Sequence, residues 1–389
     1  MNNNKPILAF VLLLFSLLIF SLFNFSSHKD DKLYSDLFNN NYRIFSVQLP
    51  EKLDFCGEHV PLHSFDVRER LDREMLVNVY WQSQTLLFHK RAARWFPVIE
   101  PILKKNGVPE DFKYLSLIES GFVNVVSPSD AVGFWQFLEE TGKRHGLEVS
   151  PEVDERYSVE ASTEAACKYL VEAKQKLGSW TMAAASYNMG VSGIRKHIEY
   201  QGNQNYYDLM LNMETSRYVF RILAIKEIME HPKKYGFFIR KKDLYPPIKT
   251  KKIEVDSSIS DLANFAKSQS VSYKILKLFN PWLRDKTLTN KTGKVYSIQL
   301  PLPGYENYDD LLDEVESRAI DSAYAIDYEE LMGPQRDEFA TLKVHKVKSG
   351  ETVESIARMY DCEPSQIRER NKLKPSEQPA VHTELIIAC

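Results

Sequence analysis

Apolar positions along residues 67–100 recur at Leu71, Met75, Val79, Leu86 and Phe96, at intervals near one or more helical turns. That pattern predicts helix, interrupted locally at Pro97 and Pro101. The run Gly107-Val108-Pro109-Glu110-Asp111 has the signs of a helix start: glycine punctuation, an early proline and acids in the first turn. Strong helix formers fill 161–177, small residues fill 181–188, and an amphipathic stretch over 214–230 is closed by His231-Pro232. Few alternating β-branched runs interrupt this region. The fold class expected is mainly α, with one mostly helical domain over about 67–235 and a lead-in over 29–95, irregular up to about residue 60.

The texture changes after a basic, proline-containing connector at 240–252. Residues 253–302 and 343–389 each read strand, helix, helix, strand, a small α+β (βααβ) unit. Val353, Ile356 and Ala357 follow Ile259, Leu262 and Ala263 at a constant offset of 94. Ile367 and Asn371 follow Leu276 and Asn280 at an offset of 91, so a three-residue gap relates two copies of one repeat. Between them, 304–342 holds twelve acids and only two arginines, which predicts a solvated linker.

At the other end, Lys5 precedes an almost unbroken apolar run from residue 7 to 23. It reads as an uncleaved signal anchor, or as a cleaved signal peptide, within residues 1–28. Either reading carries the rest of the chain across a membrane. The 50 basic and 53 acidic residues leave a formal charge of -3, which offers no excess to neutralise phosphates and argues against a nucleic-acid partner. Cys56, Cys167, Cys362 and Cys389 are widely spaced, supporting neither a zinc site nor a disulfide framework. Aromatics make up 12% of the chain, a composition compatible with sugar-stacking surfaces and equally with ordinary core.

The residue that could carry chemistry is Glu119. Phe112, Leu115 and Glu119 are spaced three and four apart, on one face of the expected helix. Glu119 also falls at that helix's C-terminal end, just before Gly121. Burial and the negative end of the helix dipole both disfavour its ionised form. A glutamic acid kept protonated near neutral pH is what breaking a glycosidic bond needs as its acid.

Around it stand, in order, Glu119-Ser120-Gly121-Phe122, Ser127-Pro128, Gly133-Phe134-Trp135-Gln136-Phe137, Ala184-Ala185-Ser186-Tyr187-Asn188-Met189-Gly190 and Glu214-Thr215-Ser216-Arg217-Tyr218-Val219. This series resembles the lytic murein transglycosylases with a goose-lysozyme-like catalytic domain, most of all the membrane-bound type with C-terminal LysM repeats. The resemblance implies a lysozyme-like catalytic domain over 96–239, a degenerate LysM-like module at 253–302 and a LysM domain at 343–389. It implies Glu119 as the sole catalytic acid/base and Ser120 as positioning the catalytic helix. Ser127 matches a substrate-contacting serine, Gln136 a groove-lining glutamine, Tyr187 and Asn188 a pair below the sugar, and Tyr218 a tyrosine bonded to the glutamate. Trp135, Ser186 and Met189 depart from the family's usual methionine, alanine and alanine, which bears on subsite shape. Taken singly, Gly133 and Trp135 also read as turn and core, residues 188–190 as a helix cap, and Tyr218 as packing.

The implied reaction uses one carboxyl where ordinary glycosidases use two. Glu119 protonates the glycosidic oxygen between N-acetylmuramic acid and N-acetylglucosamine. As a carboxylate it then takes the proton of the muramic O6 hydroxyl, which attacks C1 and leaves a 1,6-anhydro end. No metal or cofactor is implied. Asp130, Glu139 and Glu140 are near enough in sequence to be second carboxylates but read as surface or capping residues. Two alternatives accompany this reading: a muramidase that hydrolyses the same bond, and a non-catalytic peptidoglycan-binding scaffold. The partner expected is peptidoglycan on the periplasmic side of the cell envelope, with the membrane held through residues 7–23.

Overall fold

A computed structural model describes residues 46–311, 343–371, 373–381 and 383–387. The apolar run at 7–23 and nearly all of the acidic linker lie outside them. Among the described residues no helix is long and apolar enough to cross a membrane. All the elements below fall within the unit formed by residues 50–389.

The molecule is mostly helical, with small pairs of strands. A hairpin of two-residue strands, β1 (Asp54–Phe55) and β2 (Glu58–His59), occupies what the sequence left as irregular lead-in. It is anchored firmly. Phe55 is fully buried with its ring edge-on to Phe112, and the Glu58 carboxylate accepts from the backbone of Trp180 and Thr181 at 2.7 and 2.8 Å. Two lead-in helices follow, α1 (Phe65–Tyr80) and α2 (Gln82–Lys105), separated by Trp81. Contrary to expectation, Pro97 and Pro101 do not break the second one. An interior proline costs about 3 kcal/mol, and here Ile99 and Leu103, both fully buried, hold the turn in place. Helix α2 therefore runs straight through residue 96.

The core is built around α8 (Met213–Glu230), which is buried on nearly every side from Tyr218 to Met229. Against it pack α1, α3 (Phe112–Ser120) and α6 (Trp180–Met189), and α5 (Val159–Leu177) lies against α2 and α6. The remaining helices of this domain are α4 (Glu139–Arg144) and α7 (Val191–Gln201). Starts are fixed by side-chain caps: Ser158, Ser179 and Asn212 accept from Ala161, Met182 and Thr215 backbone N–H groups.

Two βααβ modules follow. In the first, β3 (Thr250–Val255) and β4 (Tyr296–Pro301) pair antiparallel around α9 (Leu262–Ser268) and α10 (Tyr273–Phe279). In the second, β5 (Lys343–Lys346) and β6 (Glu384–Ile387) enclose α11 (Val353–Tyr360) and α12 (Pro364–Arg370). The internal repeat carries one latch in both copies. Asn280 Nδ2 donates to the Gln299 carbonyl and its Oδ1 accepts from Gln299 N–H. Asn371 makes the same pair of bonds with Ile386. One cysteine reading is corrected: Cys362 is disulfide-bonded, while Cys56 and Cys167 are free. Wide spacing does not exclude a bridge, because folding rather than sequence distance brings thiols together.

Candidate active site

The helix that carries Glu119 is short and ends sharply. Gly121 takes the left-handed conformation (φ 59°) and donates to the Leu117 carbonyl at 2.8 Å. A Cβ there would crowd Gln84 and Phe88 at 3.2 Å. Two arginines cover the helix end, Arg91 donating to the Gly121 carbonyl and Arg221 to that of Ile118. Glu119 is thus the penultimate residue of a helix whose Leu117, Ile118 and Ser120 carbonyls already have partners.

Its carboxyl faces α8. Tyr218 is 1% exposed and its hydroxyl donates to Glu119 Oε1 in a short hydrogen bond. Burial pushes the Glu119 carboxyl above the ordinary glutamate range. The Tyr218 hydrogen bond and the Arg221 guanidinium pull it back, and the carboxylate of Glu214 pushes it up again. Tyr187 and Tyr218 are themselves driven well above the usual phenol range, by burial first and then by the charge of Glu119, so both stay neutral donors.

Ser120 ties this helix to the loop that follows. Its hydroxyl donates to the Phe134 carbonyl at 3.0 Å, and Ser116 donates to the same carbonyl at 3.1 Å. That loop, residues 125–137, holds Ser127 and Gln136. Ser127 Oγ accepts from Ser129 and Ala131 backbone N–H groups. Gln136 Nε2 donates to the carbonyls of Val125 and Gly133. Gly133 (φ 80°) is obligatory, since a Cβ would lie 2.1 Å from the Arg156 carbonyl oxygen. Trp135 is fully buried and donates to Thr163 Oγ1 at 2.8 Å, so it anchors the loop from beneath. Tyr187 donates to the Trp135 carbonyl at 2.8 Å. The hydroxyl of this tyrosine is therefore committed to the loop.

The structure thus brings Glu119, Ser120, Tyr187 and Tyr218 into one cluster, with Ser127 and Gln136 on the adjoining loop. Asn188 reaches the site indirectly. Its Nδ2 donates to Glu214 Oε1 at 2.9 Å and its Oδ1 accepts from Thr215 at 2.6 Å. Asp130, Glu139 and Glu140 are exposed, and Glu139 pairs with Lys143. The carboxylate that does act on Glu119 is Glu214, which the sequence reading passed over, as it did Arg221. Both stand at helical spacing from Tyr218, four residues before and three after, so α8 presents Glu214, Tyr218 and Arg221 as one column. Arg156 was missed as well. It is buried, pairs with Asp154 at 2.7 Å, and donates to the loop carbonyls of Asp130 and Phe137 at 3.2 Å. Among the described residues no three His, Cys, Asp or Glu side chains gather in a way that could hold a metal ion.

Comparison with known families gives three matches along the chain. Residues 96–210 match the transglycosylase SLT domain. Residues 251–304 match the soluble lytic transglycosylase C-terminal LysM-like domain, and 345–388 match the LysM domain. Two curated relatives, the membrane-bound lytic murein transglycosylase D of Escherichia coli strain K12 and that of strain O6:H1, are each 26% identical over 317 residues. The match covers 80% of this chain and 66% of theirs, just under two thirds of the relatives' length.

Proposed function

We infer that this chain, with its SLT transglycosylase domain followed by a LysM-like and a LysM domain, is a lytic transglycosylase that cleaves peptidoglycan glycan strands. The observation that carries the inference is the Glu119–Tyr218 pair in its desolvated setting. Burial pushes the Glu119 carboxyl above the ordinary glutamate range, which favours the protonated form that gives its proton to a glycosidic oxygen. Tyr218 donates to one carboxyl oxygen, Oε1, so the proton to be transferred sits on the other. Once the proton has gone, the same phenol stabilises the carboxylate that must act as base. A single group can serve both steps because two environmental effects oppose each other, burial favouring the acid and Tyr218 with Arg221 favouring the base.

Glu119 then takes the proton of the muramic O6 hydroxyl as that oxygen attacks C1. The attacking hydroxyl belongs to the sugar already bound, so no water has to be captured and oriented, an advantage of high effective concentration. Ser120 ties the 125–137 loop to the helix of Glu119, Tyr187 ties it to α6 and Gln136 closes it on itself; Ser127 on that loop contacts the sugar, and Asn188 fixes Glu214 beside the acid. The LysM domain keeps the enzyme on its polymer by raising local concentration. The apolar run at 7–23 tethers the chain to a membrane with its domains on the periplasmic side. The disulfide at Cys362 suits that oxidising compartment.

The test is the mass of the products released from purified sacculi. The proposal expects 1,6-anhydromuramyl ends. Reducing ends heavier by one water would make the enzyme a hydrolysing muramidase, and binding to sacculi with no cleavage would make it a scaffold.

A further inference from the structure

The first βααβ module is not a free-standing appendage. Its buried core includes Val132, Val153 and Tyr157 of the helical domain, packed with Leu276, Leu283 and Ile298 of the module. The backbones join as well. Asp154 N–H donates to the Trp282 carbonyl at 2.9 Å, Arg284 N–H donates to that of Glu152 at 2.7 Å, and Val153 bridges Leu283. Side chains surround this seam. The Glu152 carboxylate accepts from Thr289 N–H at 2.5 Å and from the Thr289 and Thr287 hydroxyls at 3.0 and 3.2 Å. Lys294 reaches Glu148 and Glu155 at 2.7 and 2.9 Å. The Arg284 guanidinium lies 3.9 Å over the Tyr157 ring. Segment 148–157 is therefore gripped along its whole length.

That segment is also what holds the active-site loop. Arg156, fixed by Asp154, donates to the carbonyls of Asp130 and Phe137. Its own carbonyl packs against Gly133. Val132 of the loop exchanges backbone hydrogen bonds with Phe137, and its side chain points into the module's core. The loop bearing Ser127 and Gln136 is thus reached from the module twice, directly through Val132 and indirectly through 148–157 and Arg156.

We propose that residues 250–301 act as a positioning element for the 125–137 substrate loop, forming one working unit with the catalytic domain, and are not an independent glycan-binding domain. The proposal rests on the lytic transglycosylase reading. It predicts that loosening the seam damages turnover while leaving attachment to the wall intact, because a loop displaced by an ångström misaligns the bound sugar.

The experiment uses the full chain with Glu152→Ala, Arg284→Ala and the milder, exposed Thr289→Val. Steady-state kinetics on soluble glycan fragments are measured beside co-sedimentation with sacculi and thermal melting. The expected result for Glu152→Ala is a kcat lower by about tenfold, with KM and sacculus binding within about twofold, since the altered geometry acts on the reacting complex. Glu152→Gln, which keeps an acceptor for the two threonines, restores most of kcat. A folded variant with unchanged kcat overturns the proposal. Sacculus binding lost while kcat on fragments persists overturns it too, and makes the module a glycan binder. Should Glu152→Ala and Arg284→Ala fail to fold, Thr289→Val decides by the same criteria. A parallel Glu119→Gln control separates the two readings: if it keeps turnover, the reaction assignment has failed rather than the role of the module.

Discussion

The two βααβ modules share a fold, an antiparallel strand pair and the same asparagine latch, yet they differ in what completes their cores. The second closes on its own residues, with Val353, Ile356 and Ile367 meeting Leu385 and Ile387. The first borrows Val132, Val153 and Tyr157 from the catalytic domain. Their polar surfaces differ accordingly. In the second module His345 bonds to Glu351 and to Tyr360 within the module. In the first, Lys294, Thr287 and Thr289 spend their hydrogen bonds on glutamates of the catalytic domain. One fold thus serves two ends. The latch and the core specify the module, and a few surface residues decide whether it becomes part of a neighbour.

The largest effect that would sharpen this comparison comes from the latch itself. Asn280 is fully buried, and Asn280→Ala leaves Gln299 N–H and C=O unpaired, at about 1–3 kcal/mol for each group. It should lower the melting temperature of the catalytic unit and its turnover together. Asn371→Ala, the same change in the second copy, should weaken sacculus binding and leave kcat on soluble fragments untouched. Calorimetry beside fragment kinetics checks both. Equal losses of kcat from the two variants would erase the distinction between the modules.

A change inside the site sets the scale for such losses. Tyr218→Phe removes one hydrogen bond to a charged group, about 1.5–3 kcal/mol, and should lower kcat/KM by about tenfold or more with little change in melting. It should also move the alkaline limb of kcat/KM to higher pH. That limb marks loss of the Glu119 proton, and the Tyr218 bond holds the Glu119 carboxyl down.

Glu214→Gln should do the opposite on a smaller scale. The Glu214 charge pushes Glu119 up, so its removal moves the alkaline limb to lower pH. Shifts in the same direction for both variants would contradict the electrostatic account of the site. Neither change should alter co-sedimentation, which the proposed function gives to the second module.

The smallest effect is acid sensitivity of the modules. Glu354 is held down to about 2, first by the Gln378 amide and by backbone N–H at its helix start, then by Arg368. Glu351 is held below its ordinary range by Lys348 N–H and by His345. At the seam Glu152 is likewise lowered, chiefly by Thr289 N–H. A depressed carboxyl stabilises the fold above its unfolded value, and that contribution fades as pH falls through the folded one. Amide exchange should therefore show residues 343–387 losing protection between the ordinary glutamate range and about pH 2. Protection that stays flat over that window would remove these carboxylates from the account.

Much of this was legible in the sequence. The 3.6-residue pattern gave the helices of the catalytic domain, and the offsets of 94 and 91 gave the repeated βααβ texture, because both are written in local spacing. The position of Glu119 at the end of an apolar stripe was legible locally, and its hydrogen bond with Tyr218 only through the resemblance. What escaped depended on contacts between segments far apart. Helix α2 continues past two prolines because buried neighbours outweigh a local penalty. Glu214 was quoted within a motif without a role, though its spacing from Tyr218 put it on the same face. Apart from the Arg156–Asp154 pair, two residues apart, the seam at 148–157 carries no local signal, since its loop and module partners lie 19 to 148 residues away.

The central claim is that Glu119 alone performs both proton transfers. The most direct measurement is turnover of Glu119→Gln on purified sacculi, with products identified by mass. A glutamine fits the same space and can still accept from Tyr218, but it has no proton to give. The account predicts a folded protein that still sediments with sacculi and releases anhydro-ended fragments about 10²–10⁴-fold more slowly. Release at the wild-type rate, with the same products, would contradict it.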